Sequence, residues 1–150
     1  MHVKNRYFIF ISYKGTSYHG WQLQPNSITV QKILDESLRT ILREKTLTTG
    51  AGRTDTGVHA RVFCAHFESE ADDLAGNTRL ITRLNHYLPG DISVSEIRRV
   101  HPDAHARFSA VSRTYRYYIT TIKNPFHEES AWFMQYKPDI AKMNKGCHSL

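Results

Sequence analysis

The chain has 150 residues, 40% of them hydrophobic, which is enough for a domain with a real core. Lys and Arg outnumber Asp and Glu by 20 to 14, for a net charge of +6; the excess is spread along the chain and tilts the reading only slightly toward an anionic partner. No apolar run approaches the roughly 20 residues that span a bilayer, the first apolar run breaks at Ser12 with no cleavage-site pattern after it, and two cysteines, Cys64 and Cys147, make no disulfide framework. The expectation is a cytoplasmic protein with reduced thiols and no membrane segment.

Arg6–Ser12, aromatic and β-branched, reads as a buried strand. A glycine-bearing loop, Tyr13–Asn26, follows. From Thr29 the period changes. Val30, Ile33, Leu34, Ser37, Leu38, Ile41 and Leu42 share one helical face, with Thr29 as N-cap. Thr46–Gly50 is a short strand candidate, and Ala51–Ala60 is a loop. Arg61–Glu68 alternates in a way that fits a strand covered on both faces. Asn77–Leu88 is a second helix with Leu80, Ile81, Leu84 and Leu88 on its apolar face, stopped by Pro89-Gly90. Ile92–Val100 is the next strand. This β-α-β, β-α-β order predicts an α+β fold, a ferredoxin-like split βαβ unit with an antiparallel sheet and both helices on one face. Arg113–Ile122 reads as a further strand and Asp139–Leu150 as a helix cut off before any C-cap, so the expectation is a fragment of a longer protein. It would hold an N-terminal domain over 1–112 and the start of a second half over 113–150.

The stretch Gly50-Ala51-Gly52-Arg53-Thr54-Asp55-Thr56-Gly57-Val58-His59-Ala60 carries the chemistry. Its glycines permit unusual backbone angles and close approach to a ligand. They bracket one carboxylate, Asp55, with Arg53 two positions before it. A nearby cation favours the charged carboxylate, and a charged, oriented Asp serves as nucleophile or base. The plainer alternative is an Asx-turn in a hairpin loop, with Asp55 bonding only local amides. A P-loop fails because Gly57 is followed by Val58-His59, and a dinucleotide fingerprint fails because Asp55 stands where its third glycine belongs. Asp55-Thr56-Gly57 spells the triplet of homodimeric aspartic proteases, but Arg53 opposes the shared proton that such a dyad needs.

Read whole, this loop resembles the signature Gly-Arg-Thr-Asp-Ala-Gly-Val-His of the tRNA pseudouridine synthase A (TruA) family, departing from it at Thr56. Other blocks in the same order are similar to the family: Tyr13-Lys14-Gly15-Thr16-Ser17-Tyr18-His19-Gly20-Trp21-Gln22-Leu23-Gln24, the Val30-Gln31 helix start, Asn85 with Leu88-Pro89-Gly90-Asp91-Ile92, and His105-Ala106-Arg107-Phe108-Ser109-Ala110 followed by Arg113, Tyr115 and Tyr117. The resemblance implies isomerisation of uridine to pseudouridine in the anticodon stem-loop of tRNA, with no metal and no cofactor. It implies Asp55 as the catalytic carboxylate, Arg53 as the arginine that swings out the target nucleotide and pairs with the aspartate, and Tyr115 as the tyrosine stacking on the target base. It also implies a homodimer, and a longer enzyme whose second half completes the cleft, so that these 150 residues are expected to bind RNA weakly and to turn over poorly or not at all alone.

A base inside a stacked stem must be extruded before its glycosidic bond is reachable, and Arg and Tyr suit that task. Trp21, Gln22 and Gln24 are candidates to line an RNA groove, with packing over the core as the alternative for Trp21. Arg107 and Arg113 are candidate phosphate contacts, and His59 is placed to steady the loop. The nine histidines lack zinc-site spacing, so no metal site is expected. The rival from another class is a non-catalytic RNA-binding module on a similar scaffold, which needs no Asp in a glycine loop.

Overall fold

The computed structural model describes residues 4–148. The chain divides into two compact units, one ending at Ser112 and the other beginning at Arg113. In the first unit β1 (Asn5–Tyr13), α1 (Val30–Leu42), β2 (Thr49–Gly50), β3 (Ala60–Ser69), α2 (Thr78–Tyr87) and β4 (Ile92–Val100) follow one another. Their sheet has the order β2-β3-β1-β4, with every neighbouring pair antiparallel. That is the split βαβ topology, and the α+β expectation holds.

Alternation along β1 sends Tyr7, Ile9, Ile11 and Tyr13 inward, where they meet Phe63, Ala65 and Phe67 of β3 and Ile92, Val94 and Ile97 of β4. Val30, Leu34 and Leu38 of α1 and Leu80 and Leu84 of α2 complete the same core, so both helices cover one face of the sheet. α1 starts where Thr29 accepts a hydrogen bond from the Lys32 amide at 3.3 Å, and it ends at Arg43 in the left-handed conformation, φ 58°. α2 is capped likewise by Asn77, which accepts from the Leu80 amide at 3.0 Å. The Asn85 side chain donates to the Val94 carbonyl at 2.9 Å and accepts from the Val94 amide at 2.7 Å, pinning α2 to β4.

The face of the sheet away from the helices is only partly covered. Phe8 and Phe10 of β1 and Cys64 of β3 are half-buried, and Val62 is 76% exposed. His66 on the same face is buried: its Nδ1 accepts the Ala106 amide at 3.1 Å, and its ring packs edge-on against His105 at 4.5 Å. The segment around Ala106 therefore shields one end of this face and leaves the Val62 end open, so β3 is not covered on both faces along its length.

Thr46–Thr48 do not join the expected strand. The Thr48 amide and hydroxyl both donate to Asp35 Oδ1 of α1, at 2.8 and 2.7 Å, so a side chain takes the donor that a ladder would use. In the second unit only Ile119–Thr120 of the expected Arg113–Ile122 strand is ladder-paired (β5); it runs parallel to β6, Trp132–Phe133. α3 (Ile140–Cys147) is capped by Asp139, which accepts from the Lys142 amide at 3.0 Å; the end of the predicted helix, at Leu150, lies outside the described residues. No described helix is long and apolar enough to cross a membrane.

Candidate active site

Two loops of the first unit, Lys14–Gln24 and Ala51–His59, lie against each other. The contact is largely backbone. The Trp21 amide donates to the Thr54 carbonyl at 3.2 Å, and the Gly57 amide to the Tyr18 carbonyl at 3.3 Å. The Gly15 amide donates to His59 Nδ1 at 2.9 Å, and the Tyr13 hydroxyl shares a hydrogen bond of 2.9 Å with Thr54 Oγ1. The approach explains two glycines. A Cβ on Gly15 would overlap the Val58 carbonyl, and one on Gly20, whose φ is +76°, would overlap the Thr54 carbonyl. Tyr18, donating to Asp91 Oδ1 at 2.6 Å, fastens the first loop to the turn before β4. The first loop also finishes the start of α1: the Val30 and Gln31 amides, which have no partner inside the helix, donate to the Gly20 and Trp21 carbonyls at 3.2 and 3.0 Å.

Between the loops is an open cleft of about 520 Å³, lined by His19, Gln22, Leu23 and Gln24 on one side and by Arg53, Thr54, Asp55 and Thr56 on the other. Asp55 and Arg53 are both exposed. The Asp55 carbonyl closes a tight turn by accepting from the Val58 amide at 3.2 Å, with Gly57 supplying φ +81° within it. The turn thus uses the main chain of Asp55 and leaves its carboxylate on the cleft wall. A carboxylate, a guanidinium and two amide side chains around one polar opening form a site that can grip a polar, anionic ligand and bring an acid–base or nucleophilic group to it.

Of the residues singled out in the sequence, Asp55, Arg53, Gln22 and Gln24 share this cleft. His59 stands behind the loop as the acceptor of the Gly15 amide. Trp21 does not face the opening: it is 2% exposed, packed on Phe63 at 4.4 Å and Tyr13 at 6.5 Å between ring centroids, and a Cβ on Gly50 would overlap its indole. It is the floor beneath both loops. Arg107 belongs to the segment that shields His66, with its guanidinium 5.9 Å from the Phe108 ring centre. Arg113 and Tyr115 belong to the second unit, where Tyr115 is exposed. The Asp-Thr-Gly triplet sits in a solvent-open loop and does not end an apolar strand. Among the described residues no group of three or more His, Cys, Asp or Glu side chains is arranged to hold a metal. His19 and Leu23 also line the cleft; their signal in the sequence is their place inside the block that supplies Gln22 and Gln24.

No family model matches the chain. Curated relatives do. The chain is 50% identical over 145 residues to a tRNA pseudouridine synthase A from Bacteroides fragilis, which covers 97% of the chain and 57% of the relative. It is 48% identical to the protein of that name from Bacteroides thetaiotaomicron and 46% identical to that of Parabacteroides distasonis, over 97% of the chain and 53% and 57% of those relatives. The relatives are pseudouridine synthases by name. Over the length it spans, the chain is similar to proteins named tRNA pseudouridine synthase A; it covers about half the length of the relatives it matches.

Proposed function

We propose that this chain carries the catalytic loop of a tRNA pseudouridine synthase, with Asp55 as the catalytic carboxylate acting on a uridine of the anticodon stem-loop. The observation that carries the reading is the cleft lined by Asp55, Arg53, Gln22 and Gln24, built from two of the sequence blocks that resemble the family. In the reaction the N1–C1′ bond of the uridine breaks and a C5–C1′ bond forms. The C5 hydrogen leaves to solvent and N1 gains a proton, so atoms balance and nothing is oxidised or reduced. Asp55 supplies the nucleophile or base, toward the uracil ring, toward C1′ or at a ribose proton. Arg53 occupies the space left by the everted nucleotide and pairs with the carboxylate. Tyr115 stacks on the target base, and Gln22, Gln24, Arg107 and Arg113 contact the RNA. The net charge of +6 assists phosphate binding. No metal or cofactor takes part. The enzyme works in the cytoplasm as a homodimer. Because the chain spans about half of its relatives, these residues alone bind RNA weakly and turn over slowly.

The test is tritium release from C5-labelled tRNA with protein in excess, run beside filter binding. The wild-type chain should release tritium slowly above background. Asp55→Asn should abolish release and keep binding within about twofold, since it removes the reacting group and little else. Binding without release, unchanged in the variant, is the result expected of a non-catalytic RNA module. Failure of the wild-type chain to bind tRNA would overturn the reading.

A further inference from the structure

Both walls of the cleft are tied to one turn of α1. Gln31 Oε1 accepts the Leu23 amide at 2.9 Å, and Gln31 Nε2 donates to the Thr48 carbonyl at 2.7 Å. One turn on, Asp35 Oδ1 accepts the Thr48 amide and hydroxyl. Leu23 lies on one wall. Thr48 leads through β2 into the loop of Arg53 and Asp55 on the other. Residues four apart on a helix share a face, so Gln31 and Asp35 together hold Thr48 by its carbonyl, amide and hydroxyl, while Gln31 also holds the opposite wall.

We infer that Gln31 and Asp35 are positioning residues for the reaction, setting the distance between the wall that carries Leu23 and the wall that carries Asp55. Neither lines the cleft: Gln31 acts through backbone groups, and Asp35 through the amide and hydroxyl of Thr48. The chemistry asks for an amide at position 31. One end must accept from an N–H and the other must donate to a carbonyl, which glutamate cannot do at both ends. Asp35 answers a different demand: it takes two donors on one oxygen from a residue that is itself buried, where an unpaired amide is costly. Rigid second-rank supports of this kind hold reacting groups in productive geometry. The inference rests on the reading that this cleft takes the target nucleotide.

The experiment uses the full chain, with Gln31→Leu to remove both contacts and Gln31→Glu to keep the Leu23 contact alone. Amide hydrogen exchange is followed at Leu23, with Ile9 and Phe67 in the central strands as reporters of global opening. Binding of an anticodon stem-loop and single-turnover tritium release are measured alongside. Gln31→Leu should speed exchange at Leu23 at least tenfold relative to Ile9 and Phe67, and slow release at least fivefold. Gln31→Glu should leave Leu23 protected. Exchange at Leu23 that changes only in step with the core amides overturns the inference, as does faster exchange with unchanged binding and release. If the wild-type chain neither binds nor releases, the functional reading has failed, and the exchange data alone decide whether the clamp exists.

Discussion

Two buried titratable groups act on stability in opposite directions across the same pH range. Burial pushes the Asp35 carboxyl up from 3.8 to about 6, against the pull of its bonds from Thr48 and the nearby Arg39. Its Oδ2 has no partner and is the natural seat of the proton. Burial lowers His66 from 6.5 to about 4, helped by the nearby His105 and Arg6 and opposed by Glu68. The neutral ring is what lets Nδ1 accept the Ala106 amide. The signs follow from which state holds the proton more tightly. Folded Asp35 holds its proton more tightly than the unfolded chain, so its contribution is most favourable below about pH 4 and declines until about pH 6. Folded His66 holds its proton less tightly, so its contribution is full above about pH 6.5 and is lost as pH falls toward about 4. At about 1.4 kcal/mol per pKa unit, each effect is about 3 kcal/mol, and the two nearly cancel.

The perturbation is to remove one at a time. Asn at 35 keeps an oxygen for Thr48, and Asn at 66 keeps an acceptor for Ala106, while neither titrates. Relative to wild type, Asp35→Asn should gain about 3 kcal/mol of unfolding free energy between pH 4 and pH 7, and His66→Asn should lose about 3. Urea unfolding at several pH values is the assay, in a Trp132→Phe background so that buried Trp21 is the remaining tryptophan. Each variant is read as its difference from wild type, which cancels the other carboxylates. Difference curves that stay flat across this range, or slope the same way for both variants, would refute the reasoning.

Gly20→Ala places a Cβ against the Thr54 carbonyl at a φ of +76°; the backbone penalty of about 1–2 kcal/mol adds to the overlap, and urea unfolding should show a loss of at least about 2 kcal/mol, with tRNA binding weakened. Asn85→Ala strips both bonds to Val94, so unfolding free energy should fall by about 2 kcal/mol and amide exchange at Val94 should rise, while Asp55 is untouched. Thr56→Ala restores the residue usual in the resembling signature at an exposed position, and tritium release and tRNA affinity should both stay within about twofold of wild type.

Periodicity carried most of the fold. The inward set Tyr7, Ile9, Ile11 and Tyr13 follows from alternation, and the apolar stripes of α1 and α2 announce both helices together with their caps, Thr29 and Asn77. What escaped depends on partners that are distant in sequence. Phe8 and Phe10 read as buried because the run around them is apolar, yet the face they occupy is covered only where the Ala106 segment crosses it. Thr46–Thr48 has strand composition, but Asp35 claims its hydrogen bonds, and no local pattern reports that a carboxylate on a preceding helix will do so. In the site, the glycines of the Gly50–Ala60 loop read as permitting close approach to a ligand. The tight approach falls instead on the other loop: Gly15 and Gly20 admit the backbone around Val58 and Thr54, while a Cβ on Gly57 would meet nothing within 4 Å.

That pairing bears on how the loop should be judged. Alone, Gly52-Arg53-Thr54-Asp55 is also what a local Asx-turn would use. Here the turn is closed by the main chain of Asp55, and the loop's outer hydrogen bonds run to Tyr13, Gly15, Tyr18 and Trp21. A carboxylate needed for the turn would face back into it. Asp55 is exposed and lines the cleft together with Arg53, Gln22 and Gln24, on a loop tied to its neighbour by hydrogen bonds. The hydrogen bonds that fix the loop are made by other groups, and the Asp55 carboxylate is left free of structural duty.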